Sequence, residues 1–180
     1  ASAKILGVKD VRFLPFEDGG MYDEVALRIE IAKVIAEIKP DVVIGPDHKL
    51  YPESHPDHLR VGEAVSKAYF MCSNVNMMKS VGATQIAKPT VLAYYFTGKP
   101  NRFVKITKKD FEKTKAAYAC FVSQCPPPDN GKSLMLYMRL KVRLNGLRSF
   151  HIRADAFRVM NNMHIHCCGE AEDTAIRRPL

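Results

Sequence analysis

Between residues 24 and 71 the chain alternates twice between helical and extended apolar patterning, and this alternation limits the possible folds more than any other feature. Val25, Ile29, Ala32, Ile35, Ala36 and Ile38 recur at helical spacing, and Lys39-Pro40 stops that helix. Asp41-Val42-Val43-Ile44-Gly45 follows as a short, almost wholly apolar run, the pattern of a strand covered on both faces. A loop from Pro46 to Ser54 leads into a second helix over residues 56–71, with Leu59, Ala64, Val65, Ala68 and Tyr69 directed at the core. A helix between strands, with short connections, predicts an α/β fold: a three-layer sandwich around a mainly parallel sheet.

The flanking segments extend this reading. Residues 1–6 read as the last turn of a helix closed by Gly7, and Val11-Arg12-Phe13-Leu14 as a short strand. Asp18-Gly19-Gly20 marks a loop. Residues 73–88 predict a loop or an irregular helical piece. Strands are expected at 91–96, 103–106, 156–160 and 163–167, with helices at 108–124 and 133–144. At 180 residues, a single domain spanning 1–180 is the simplest organisation.

Composition narrows the function classes. No run approaches the ~18 consecutive apolar residues of a membrane span. Five cysteines, two of them adjacent at Cys167-Cys168, do not form a disulfide framework, and a reduced cytoplasmic setting fits them. The net charge of +8 raises a nucleic-acid reading, but the basic residues are dispersed and carry no nucleic-acid motif or interleaved aromatic platform. A solvated basic surface accounts for them, and no nucleic-acid or membrane partner is expected.

Chemistry concentrates in Ser54-His55-Pro56-Asp57-His58, at a strand-to-helix crossing where open α/β sheets hold ligands. Local structure explains three of these residues. Ser54 reads as an N-cap, Asp57 completes a capping box, and Pro56 suits the first turn. It leaves His55 and His58 unexplained: two imidazoles about one turn apart with a carboxylate between them, the ingredients of a catalytic or metal site.

The run Gly7-Val8-Lys9-Asp10-Val11-Arg12-Phe13-Leu14-Pro15-Phe16-Glu17-Asp18-Gly19-Gly20, then Lys39-Pro40-Asp41-Val42-Val43-Ile44, then His55-Pro56-Asp57-His58 and Val61-Gly62-Glu63-Ala64-Val65, resembles the PIG-L/LmbE-like family of zinc-dependent N-acetylglucosaminyl deacetylases. The resemblance implies a Rossmann-like fold, a homo-oligomer and hydrolysis of the acetamide of an N-acetylglucosamine-containing small molecule. It makes His58 a ligand of zinc or another divalent metal. His55 would stabilise the oxyanion and protonate the leaving amine, and Asp57 would orient His55 and favour its charged form. It places Asp18 near the sugar.

Family members also carry an A-H-P-D-D motif after their first strand, and no such run occurs in this chain. A catalytic zinc takes three protein ligands, so the expectation is an incomplete site in a chain that lacks its first β-α unit, and an inactive chain as it stands. The alternative is a catalytically inactive sugar-binding or interaction protein derived from the same fold.

Two further places could carry chemistry. Asp47 and His48 lie just beyond the apolar strand, where His48 is a candidate substrate contact and turn chemistry is the plainer account. Read as a strand, residues 163–168 put His164, His166 and Cys168 on one face, a donor set for a soft or borderline metal; a half-buried strand with a polar face explains the same pattern.

Overall fold

A computed structural model describes residues 1–166. Helices α1 (Ser2–Leu6), α2 (Glu24–Ile38), α3 (Pro56–Met71), α4 (Val75–Ser80), α5 (Lys108–Tyr118) and α6 (Lys132–Arg148) alternate with strands β1 (Val42–Pro46), β2 (Val91–Tyr95), β3 (Arg102–Lys105) and β4 (Ala154–Asn161). The strand order is β1-β2-β4-β3 in one open sheet. β1 and β2 run parallel with Val43 opposite Leu92, and β2 and β4 run antiparallel with Ala93 opposite Val159. The expected α/β, Rossmann-like architecture is present, with a mixed sheet.

The chain divides into two compact units. The larger comprises Leu14–Arg102 and the segment from Ala156 onward. Its core joins Ala32, Ile35 and Ala36 of α2 to Val65, Ala68, Tyr69 and Met71 of α3, and to Val43, Leu92 and Tyr94 of the sheet. Asp23 starts α2 by accepting from the N–H groups of Val25 and Ala26, leaving Lys39 in the left-handed region to end it. Gly62 lets α3 settle on the end of β1, since a Cβ there would stand 2.4 Å from the Pro46 carbonyl oxygen.

Along β1 only one face is covered. Val43 is buried, whereas Val42 and Ile44 are 46% and 55% exposed. The apolar run therefore forms the expected strand, but among the described residues the cover anticipated on its second face is not supplied.

The smaller unit comprises Ala1–Phe13 and Phe103–Asp155. In it α1 packs on α5, whose start carries a full capping box between Thr107 and Asp110. Gly7 caps α1 with φ +83, as its position predicts.

Two expected strands do not form. Residues 11–14 are irregular rather than extended into a strand, and Phe13 is 92% exposed. Residues 162–166 are turns because the Asn161 carboxamide oxygen takes the N–H groups of Met163 and His164, diverting the backbone from a ladder. His166 stacks on Phe70 at 5.7 Å, so the alternating His164/His166 face is not made; Cys167 and Cys168 lie outside the described residues. Residues 108–124 split into α5 and a 3-10 turn at Val122–Gln124.

Candidate functional site

The carboxyl end of β1 leads to the N-terminus of α3, and the motif histidines stand there. Helix α3 begins differently from the local expectation. His55, not Ser54, occupies the N-cap position, with Pro56 in the first turn, and no side chain caps the helix. Asp57 makes no capping box. Its carboxylate instead reaches across to the loop after Phe16. Oδ2 accepts from the Gly19 N–H at 2.7 Å, and Oδ1 accepts from the Gly20 N–H at 3.0 Å and the Tyr22 hydroxyl at 2.8 Å.

The loop is pressed against the helix from the other side too. Gly20, at φ +73, has room only for hydrogen, because a Cβ would lie 2.8 Å from the Pro56 Cβ. Arg60 donates to the Gly20 carbonyl. The Gly19 amide, aided by Tyr22 and Gly20, holds the Asp57 carboxyl down at about 2. Burial, then the Asp57 carboxylate, pushes the Tyr22 hydroxyl up to about 12.

The two imidazoles are paired. Their rings stack with centroids 4.7 Å apart and planes 25° from parallel. His55 Nδ1 lies 3.7 Å from Asp57 Oδ2, ion-pair range for a charged imidazole. His58 Nδ1 lies 2.8 Å from Glu53 Oε2, and this bond holds the Glu53 carboxyl below its ordinary range. Phe96 closes the group, its ring centroid 5.8 Å from that of His58. Its φ of +52 is an uncommon conformation for a bulky residue.

Asp18, His55 and Asp57 each offer a ligand atom within 4.8 Å of the others. One imidazole and two carboxylates, with a second imidazole stacked alongside, are the ligand types a divalent metal takes, so the donor chemistry fits such an ion. Asp18 and His55 are exposed, and Asp57 already accepts three hydrogen bonds.

Of the residues expected from sequence, His55, Asp57, His58 and Asp18 thus come together. His48 joins none of these bonds. It packs edge-on against Tyr94 at 5.6 Å, with its Nδ1 buried and unpartnered. Burial, then the Arg158 charge, lowers its pKa and keeps it neutral. Its neighbour Asp47 is 4% exposed and takes a bidentate grip from Arg158, at 2.9 Å from Nε and 2.5 Å from Nη2, while Arg158 lies 4.4 Å over the Tyr94 ring. Burial alone would raise the Asp47 carboxyl; hydrogen bonds from Arg158, Thr97 and the Lys49 N–H, with the Arg158 charge, together outweigh it and hold it low. Glu53 and Arg158 escaped the sequence reading. A signal for Glu53 existed, since an acid five residues before His58 can fold back on it across a turn. None existed for Arg158, which is 111 positions from Asp47.

Comparison with known proteins gives four findings. The family described as PIG-L, GlcNAc-PI de-N-acetylase, matches residues 1–69. The diacetylchitobiose deacetylase of Thermococcus kodakarensis is 33% identical over 171 residues, covering 93% of this chain and 62% of that protein. The N,N'-diacetylchitobiose deacetylase of Pyrococcus horikoshii, solved with its inhibitor, superposes with a TM-score of 0.80 at 27% identity, over 92% of this chain and 62% of that one. A conserved protein of Thermus thermophilus shares the fold, with a TM-score of 0.70 at 23% identity over 87% of this chain and 68% of its own. The chain therefore spans about 62% of the length of both deacetylases.

Proposed function

We propose, from its membership of the PIG-L/LmbE-like N-acetylglucosaminyl deacetylase family, that the chain carries part of a metal-dependent site for removing the acetyl group from an N-acetylglucosamine-containing small molecule. The observation carrying this reading is the stacked pair of imidazoles at the mouth of α3, each ring beside its own carboxylate.

The pair divides the labour. With Nδ1 occupied by Glu53, His58 keeps Nε2 for a divalent metal, zinc being the expected ion. When bound, that ion supplies Lewis acidity and an activated water as nucleophile. The Asp57 carboxylate, 3.7 Å from Nδ1, orients the His55 ring. Charged His55 donates a hydrogen bond to the oxygen that becomes negative as water adds to the acetamide carbon. It then gives its proton to the nitrogen as the C–N bond breaks; the attacking water sheds its two protons to solvent and solvent reprotonates His55, so amide and water become amine, acetate and one released proton. Asp18 stands beside His55 and is placed to meet the sugar or to share the metal. His48 could line the same cleft.

A catalytic zinc draws three protein ligands, and His58 is the one donor assigned to it here. The chain alone is therefore expected to hold metal weakly and turn over little. An inactive sugar-binding protein on the same fold is the second reading, favoured by the hydrogen bonds that already occupy Asp57. The free thiols Cys72, Cys120 and Cys125 suit a reducing compartment such as the cytoplasm. Among the described residues no helix is long and apolar enough to cross a membrane. A homo-oligomer remains part of the proposal.

The test is a cobalt(II) or zinc titration of the chain, with amine release from N,N'-diacetylchitobiose measured alongside. His58→Ala should abolish saturable metal binding. His55→Ala should retain it while lowering any turnover by about 100-fold or more. Equal metal loss in both variants would make both imidazoles ligands and overturn this division of labour.

A further inference from the structure

We propose that Glu53 is the positioning residue of this site: it fixes His58 in the Nδ1–H tautomer and sets the place of both imidazoles through the backbone. The inference rests on the reading of His58 as a metal ligand, but its geometry stands by itself. Glu53 Oε2 lies 2.8 Å from His58 Nδ1. An ionised carboxylate has no proton to give, so the nitrogen must be the donor and Nε2 is left with its lone pair. The other oxygen, Oε1, accepts from the N–H groups of Ser54 at 2.9 Å and His55 at 2.8 Å. The Glu53 N–H in turn donates to the Leu50 carbonyl at 3.0 Å.

One carboxylate therefore grips the ring of one histidine and the backbone of the other. Helix α3 itself starts without a side-chain cap, at His55. Ring stacking at 4.7 Å follows from this shared anchor, since neither ring can turn without breaking a bond to Glu53 or losing its neighbour. A carboxylate behind a ligating imidazole raises its basicity and fixes its direction, an arrangement whose loss typically weakens metal binding about 10–100-fold.

The experiment is long-range nitrogen-15 NMR of the imidazoles in the metal-free 180-residue chain, at about pH 8, above the ordinary histidine range. Cobalt(II) titration of the same samples follows. The expected result is His58 with Nδ1 protonated and Nε2 bare. In Glu53→Gln the amide oxygen can still accept from Ser54 and His55, but its NH2 faces Nδ1, so the tautomer should shift toward Nε2–H. Cobalt affinity should fall about 10–100-fold.

Glu53→Ala removes the backbone acceptor as well and should disturb the amide signals of Ser54 and His55. If that variant does not fold, Glu53→Gln still decides. His58 protonated at Nε2 in the unaltered chain, or a tautomer indifferent to Glu53→Gln, overturns the proposal. The expected tautomer and shift with no cobalt binding in any sample would instead uphold the positioning role and sink the deacetylase reading on which its purpose depends.

Discussion

Two aspartates within the larger unit solve opposite problems. Asp47, at the end of β1, is buried and must be neutralised by another charge; Arg158 does so with two hydrogen bonds and a stack over Tyr94. Asp57, at the mouth of α3, keeps contact with water and is held by the amides of Gly19 and Gly20 and the Tyr22 hydroxyl. The first arrangement fixes a strand end. The second latches a loop beside the histidines with donors that cost little to release. Under the proposed function, a rigid floor with a releasable rim would suit the entry of a sugar-sized molecule.

The largest effect should come from breaking the floor. Arg158→Ala leaves the Asp47 carboxylate buried without its charged partner, which typically costs about 3–5 kcal/mol. Urea denaturation should show the loss, and replacing both residues with apolar ones of similar volume should restore most of it, since the desolvation penalty then disappears. A loss below about 1 kcal/mol in the single variant would mean that water reaches Asp47 and that the two anchors do not differ in kind.

Sequence periodicity was a reliable guide where one short-range signal governs the backbone. The limits of α2 and α3 follow from apolar spacing, Lys39-Pro40 and Pro56, and β1 follows from its apolar run. His55, Asp57 and His58, noticed as a motif, and Asp18, named through the family resemblance, stand together, whereas His48 packs on Tyr94 instead. It failed where partners lie far apart in the chain. Asp57 looked like a local capping residue because its true partners are 35 to 38 positions away. The 163–167 strand failed because the Asn161 side chain competes for the same amides. Exposure of Val42 and Ile44 was equally illegible, since an apolar run cannot say which of its faces the chain will cover.

The next largest effect tests the latch through pH. The Asp57 carboxyl is depressed to about 2, below the ordinary carboxylate range, so its contribution is complete above about pH 4 and is lost as pH falls toward about 2. The Gly19 and Gly20 amide resonances should move together through that window, while the core signals of Ala68 and Leu92 stay put. Asp57→Asn should flatten the response, because an amide gives the loop a weaker acceptor with no proton to gain. Unchanged titration in that variant would assign the latch to another acid.

The smallest effect sharpens the comparison most, because it separates the rim's real anchor from its apparent one. A Ser that caps a helix typically costs about 1 kcal/mol when replaced by Ala. Ser54 sits one residue before the N-cap, exposed, and its recorded role is to donate its backbone N–H to Glu53. Alanine keeps that N–H. Ser54→Ala should therefore change stability by no more than about 0.5 kcal/mol and leave metal affinity as it was. A loss of about 1 kcal/mol would restore the capping box to solution, pull Asp57 off the Gly19-Gly20 loop, and leave the rim anchored within α3 alone.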